Sequence, residues 1–148
     1  MTPAKHVAIS VVTAAGFGFF TKSWAGGLAC FLSGIFIDLD HVLDFIIFEK
    51  RLCKSLKELE RFCEQRHGKI YLFLHSFELL LILWITVFYF HFEPIWLGIV
   101  FGLTVHMVAD QIVNPVNPWT YFILYRAKLK FPRSIFFEKI SKDTHSHV

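Results

Sequence analysis

Cysteine is scarce in this chain. The 148 residues hold three, Cys30, Cys53 and Cys63, an odd number with no CxxC pair. That excludes a disulfide framework and a zinc-finger signature. Charge is scarce as well: Asp, Glu, Lys and Arg make up 18% of the chain. The formal net charge is only +3, so bulk charge selects no class of partner. There is no nucleic-acid motif and no internal repeat, and no Ser, His and acid set on an elbow motif of the serine-hydrolase kind. The opening Lys5 and apolar Val7 to Phe20 look like a signal peptide, but no clean small-x-small cleavage site follows, and the chain runs straight into more apolar sequence.

Apolar residues are abundant instead. The chain is 55% hydrophobic and 18% aromatic, with 18 Phe. Its mean hydropathy is +0.51, too high for a soluble core of this size. The expectation is an all-α integral membrane bundle of about four transmembrane or re-entrant helices plus a cytoplasmic amphipathic helix, in one domain spanning 1–148. The apolar segments are 7–20, 25–37, 71–92 and 95–113. The first two are short: 14 residues of helix reach about 21 Å against a hydrocarbon core of about 30 Å, so they either span or re-enter. The second is rich in Gly, Ala and Ser, which allow close helix packing in lipid. Between the second and third segments, about residues 42–68, Phe45, Leu52, Leu56, Leu59 and Cys63 recur at helical spacings among Lys, Arg and Glu, predicting a basic amphipathic helix on the membrane surface or against the bundle. The Asn114-Pro115-Val116-Asn117-Pro118 run ends the fourth segment. Trp119 to Arg126 reads as an interface stretch, and about 127–148 as a basic tail.

Four crossings put the turns near Lys22 and Glu93 on one side and everything else polar on the other. Of the 15 Lys and Arg, 14 then fall on that second side, which the positive-inside rule makes cytoplasmic. The expected location is the inner membrane, with membrane lipid as the surrounding partner. The same topology gathers His6, Asp38, Asp40, His41, His75, Glu78, His106 and Asp110 within a turn or two of the cytoplasmic face.

Gly102-Leu-Thr-Val-His106-Met-Val-Ala-Asp110 is the centre of the arrangement. His106 and Asp110 are four residues apart, on one helix face inside an apolar run where ionisable groups are costly and so read as functional. His75 and Glu78 share a face at a spacing of three. Imidazoles and carboxylates together suit a divalent metal, zinc foremost, with manganese and iron as alternatives. The expected ligands are His6, Asp38, Asp40, His75, His106 and Asp110. A bound metal lowers the pKa of a water, and a carboxylate outside the metal shell, Asp40 or Glu78, is the expected general base.

His6, Asp38-Leu39-Asp40-His41, His75-Ser76 opening an apolar helix, and Gly102-x3-His106-x3-Asp110 before a proline turn resemble, in that order, the predicted membrane-bound metal-dependent hydrolases, which include LexA-regulated inner-membrane hydrolases. The resemblance covers roughly residues 6 to 126 and implies hydrolase activity. It departs at one point. The family commonly reads His-Arg-Gly-x-Thr-His-Ser, whereas here Ile70 stands five before His75 and the nearest upstream histidine is His67. Either His67 or Glu78 fills that place. The leading expectation is a hydrolase acting on an ester or phosphoester, lipid-linked or free, at the cytoplasmic face. The alternative is a non-enzymatic membrane scaffold with a structural metal or a hydrogen-bonded His/Asp cluster. A phosphatidic-acid-type phosphatase also uses His-x3-Asp, but its Ser-Arg and Pro-Ser-Gly-His elements are absent.

Overall fold

The computed structural model describes residues 3–65, 68–90, 93–114 and 116–136. It is all-α: no strand occurs among the described residues. Helix α1 runs Pro3–Thr21, opened by a proline whose fixed φ suits the first helical position. Lys22 turns the chain with a φ of 52°, and the Ser23 side chain accepts a hydrogen bond from the Gly26 N–H at 3.0 Å to start α2, Trp24–Phe36. A connection this short makes α1 and α2 antiparallel neighbours.

Helix α3 covers Leu39–Glu49 and α4 covers Leu56–Cys63. The single amphipathic helix expected over about 42–68 is therefore two. Lys50 adopts a left-handed conformation (φ 54°) that ends α3, and Ser55 caps α4 by accepting from the Glu58 N–H at 3.3 Å. The pair is held by Phe62, whose ring meets Phe45 edge-on at 5.1 Å, with the Arg133 guanidinium 3.9 Å above it.

Helix α5 is Phe77–Tyr89, capped by Ser76, and so begins six residues later than the apolar run from Tyr71 suggests. Helix α6 is Pro94–Val113. A 3-10 turn at Pro118–Tyr121, the short α7 at Ile123–Lys128 and a second 3-10 turn at Arg133–Phe136 complete the described chain. Of the basic tail expected over about 127–148, residues 137–148 lie outside the described residues; within the rest Arg133 is buried, as is Arg126 just before it.

Helix α6 is the axis of the packing. Gly98 and Gly102 stand four residues apart on the face toward α2. A Cβ at Gly98 would overlap the Gly26 carbonyl oxygen, and one at Gly102 the Cys30 carbonyl oxygen and the Ser33 hydroxyl. Only glycine admits so close an approach. On its other side α6 meets α5 through Val100, Met107, Leu80 and Val87, and the Trp84 indole N–H donates to the Thr104 hydroxyl at 2.9 Å. The outward faces are apolar: Val12, Phe20, Leu81, Ile85, Phe88 and Ile112 are each more than half exposed. Among the described residues α6 alone is long and apolar enough to cross a membrane; α1 and α5 are apolar but shorter.

Candidate metal centre

Gly98, Gly102, His106 and Asp110 form one stripe along α6 at four-residue intervals. The glycines bring α2 so near that the His106 Nδ1–H donates to the Gly34 carbonyl oxygen at 2.7 Å. A carbonyl only accepts, so Nδ1 carries a proton and Nε2 points away from α2. That Nε2 lies 3.4 Å from Asp38 Oδ1 and 3.7 Å from Asp110 Oδ2.

His75 is oriented the same way by a different partner. Its Nδ1 faces Asp40 Oδ2 at 3.3 Å, while its Nε2 looks toward Asp38 Oδ1 at 3.7 Å and Asp110 Oδ2 at 4.0 Å. The Nε2 contacts exceed normal hydrogen-bond length, and the Nε2 atoms of both histidines are buried with no hydrogen-bond partner. Two buried Nε2 atoms without a hydrogen-bond partner, both facing two carboxylates, form a set of donors that one shared cation would satisfy. Donors about 3.3 Å apart are what a tetrahedral ion with ligand bonds of about 2.0–2.1 Å requires. The cluster's edges of 3.4 to 4.0 Å therefore fit a metal of that size. His6, from the first turns of α1, stacks on His106 with ring centroids 4.2 Å apart and sets its Nε2 3.2 Å from Asp110 Oδ1.

Asp38 sits at the N-cap position of α3 but makes no capping hydrogen bond, which leaves its carboxylate for the cluster. Burial alone would raise its pKa; the imidazoles of His106 and His75 outweigh that and hold it well below the usual carboxylate range. His41, one turn into α3, belongs to the same group of donor atoms as Asp38 and His75. Burial, then the charge of His75, pushes its pKa down to about 4, so its imidazole is neutral at pH 7. On its other side His41 Nδ1 is 3.5 Å from the Cys63 sulfur, a thiol that burial pushes up to about 11.

The segment carrying His75 is clamped from both sides. On one side α3 supplies acceptors: Asp44 takes the Tyr71 N–H at 2.8 Å, and Asp40 Oδ2 takes the N–H groups of Leu74 and His75. On the other, the buried Arg126 guanidinium donates to the carbonyls of Tyr71, Leu72 and His75. These carbonyls are spent on Arg126 rather than on a helical ladder, and Leu72 has a φ of 43°. This is why α5 starts late.

Of the residues read from the sequence as ligands, His6, Asp38, His75, His106 and Asp110 converge. Asp40 is adjacent, but its Oδ2 lies behind His75 on the Nδ1 side. Glu78 was the other candidate base. Its Oε2 accepts from Ser76 Oγ at 2.7 Å and from the Ile123 N–H at 2.9 Å, and its Oε1 accepts from the Leu124 N–H at 3.0 Å. Both oxygens thus pin the start of α7 to the start of α5 and contact no member of the cluster in those bonds. His67 lies outside the described residues. His41, not among the expected ligands, has a donor atom beside those of Asp38 and His75, and neither the Gly34 carbonyl nor Arg126 was among the residues read from the sequence. His41 was signalled by its place beside Asp40; a backbone carbonyl and a lone arginine carry no local signal.

Comparison with protein-family models, with curated proteins and with solved structures finds no match to this chain.

Proposed function

We propose that this chain is a metal-dependent hydrolase of the inner membrane whose centre is the His6, Asp38, His75, His106 and Asp110 cluster. One observation carries the reading: His75 and His106 both have Nδ1 committed to an oxygen acceptor and Nε2 buried without a partner, aimed at the same two carboxylates. Outer-shell acceptors orient metal-binding imidazoles in just this manner. A divalent ion held there would supply Lewis acidity to a water and to an ester or phosphoester substrate. Asp40 enters this reading as the group that orients His75, and Glu78 as the group that fixes α7. Asp38 is the member of the cluster open to the outside, its side chain 37% exposed against 7% for Asp110, and it marks the way in for substrate.

The apolar outward faces of α1, α5 and α6 support a membrane setting, because a bundle in water would not expose so much of them. The concentration of Lys and Arg at the cluster's end supports a cytoplasmic site. The order of the motifs and their resemblance to the membrane-bound hydrolases support the reaction class and zinc as the foremost metal.

The test starts with metal content of the detergent-purified protein, wild type against the double variant His106→Ala, Asp110→Ala. Both are then screened for hydrolysis of phosphoesters and lipid esters after chelation and after metal is restored. The expected result is metal and turnover in wild type and neither in the variant. Metal-free wild type after metal-replete purification overturns the proposal. The scaffold reading draws on the Gly34–His106 bond and the His6–His106 stack, which tie three helices together. A metal-loaded protein inert toward every substrate class would favour it.

A further inference from the structure

We propose that the cluster is two metal sites sharing carboxylates: a closed site of His6, His106 and Asp110 beside an open site of Asp38, His41 and His75. The proposal rests on the metal reading above and adds a second ion with its own ligands. Within each triad the donor atoms lie within 4.8 Å of one another. The triads differ in access. All three residues of the first are buried, whereas in the second only His75 is buried and Asp38 and His41 are part exposed. Closed sites with full protein ligation are structural in character, and open ones leave a position for water or substrate.

The carboxylates are placed as bridges. Asp110 presents Oδ1 to His6 Nε2 at 3.2 Å and Oδ2 to His106 Nε2 at 3.7 Å and His75 Nε2 at 4.0 Å. Asp38 Oδ1 likewise reaches a member of each triad, at 3.4 Å from His106 Nε2 and 3.7 Å from His75 Nε2. Four imidazoles and two carboxylates exceed what one four-coordinate ion uses. The buried Nε2 atoms without a hydrogen-bond partner belong to different triads, His106 to the closed one and His75 to the open one, so each triad carries one of them. Charge fits as well. One dication would be neutralised by Asp38 and Asp110, whereas two leave the centre net positive, which suits an anionic phosphoester better than a neutral ester.

The test uses the full chain in detergent, stripped with chelator and titrated with Zn²⁺, with bound metal counted after desalting. Two equivalents are expected in wild type, and one each in His41→Ala and His6→Ala, with the ion lost in His41→Ala being the weaker-held of the two. Mn²⁺ provides an independent readout on wild type alone. Two ions about 4 Å apart couple magnetically, so the six-line signal of isolated Mn²⁺ should be broadened away at two equivalents. One equivalent in wild type, an uncoupled Mn²⁺ spectrum, or two equivalents retained in both variants overturns this proposal and leaves the hydrolase reading standing. No metal in wild type overturns both.

Discussion

The His106 Nδ1–H, on α6, donates to the carbonyl oxygen of Gly34, on α2, at 2.7 Å. This bond couples how closely two helices pack to which nitrogen of His106 faces the cluster. The distance is available because Gly98 and Gly102 remove the side chains that would hold α2 away. Helix packing and the orientation of His106 are therefore not separable on this face of α6.

Gly102→Ala should push α2 off α6, since its Cβ would overlap the Cys30 carbonyl oxygen and Ser33. The expected cost is about 1–3 kcal/mol, with loss of bound metal as the Gly34 acceptor withdraws. Gly16→Ala is the control. Nothing lies within 4 Å of its Cβ position, so the variant should be unchanged or up to about 1 kcal/mol more stable from better helix propensity. Thermal unfolding and metal content of the two variants check this; equal behaviour would refute the packing argument.

Asp40→Asn should weaken metal retention about 10–100-fold, through the lost orientation of His75. Its side chain is behind the imidazole, so helix content should persist. Competition with a chromogenic chelator reads the affinity, and an unchanged value would remove Asp40 from the supporting shell.

Arg126→Met should leave the carbonyls of Tyr71, Leu72 and His75 without their donor. A loss of about 3 kcal/mol or more is expected, because buried acceptors left unpaired cost about 1–3 kcal/mol each. The damage should be concentrated in residues 71–75, and hydrogen exchange at the Leu74 and His75 amides would show it. Protection equal to wild type there would be inconsistent with the clamp.

Metal should change how stability depends on pH. Asp38 is lowered, so its contribution to apoprotein stability is complete above about pH 4 and is lost as pH falls through its folded pKa. His41, lowered to about 4, costs apoprotein stability as pH falls from about 6.5 toward 4, because the unfolded imidazole takes up a proton that the folded one does not. Ligation needs neutral imidazoles and charged carboxylates, so the stabilisation added by metal should grow as pH rises toward 8. Thermal unfolding at pH 5 and pH 8, with and without Zn²⁺, decides it. A Zn²⁺-induced rise in Tm no larger at pH 8 than at pH 5 would contradict the assignment.

Cys53 lies in the part-exposed loop between α3 and α4, on the side assigned to the cytoplasm. A membrane-impermeant maleimide should reach it in inverted vesicles and not in intact cells, and Lys22→Cys with Cys53 and Cys63 replaced by Ser should give the reverse. Labelling of both from one side would remove the four-crossing topology.

Helix positions were legible where local signals agree. Ser23, Pro94 and the polar ends of the apolar runs place α2 and α6 within a residue of their observed limits, because caps and prolines act on adjacent backbone. The start of α5 was not legible, because Tyr71 to Ser76 read as apolar helix until Arg126, some 50 residues onward, claims their carbonyls. Nor was the break between α3 and α4, where the apolar spacing runs on through Lys50 although the backbone there turns left-handed.

The candidate site divides in the same way. Composition, spacing and the distribution of Lys and Arg suffice to gather His6, Asp38, His75, His106 and Asp110 at one end of a helical bundle, because apolar runs dictate which ends of the segments meet. Tertiary structure alone decides what each group faces. The Gly34 carbonyl turns His106, Asp40 turns His75, and Glu78 is drawn away to the start of α7. Those partners lie about 35 to 70 residues away along the chain, and a hydrogen bond depends on distance and angle in space rather than on order in sequence.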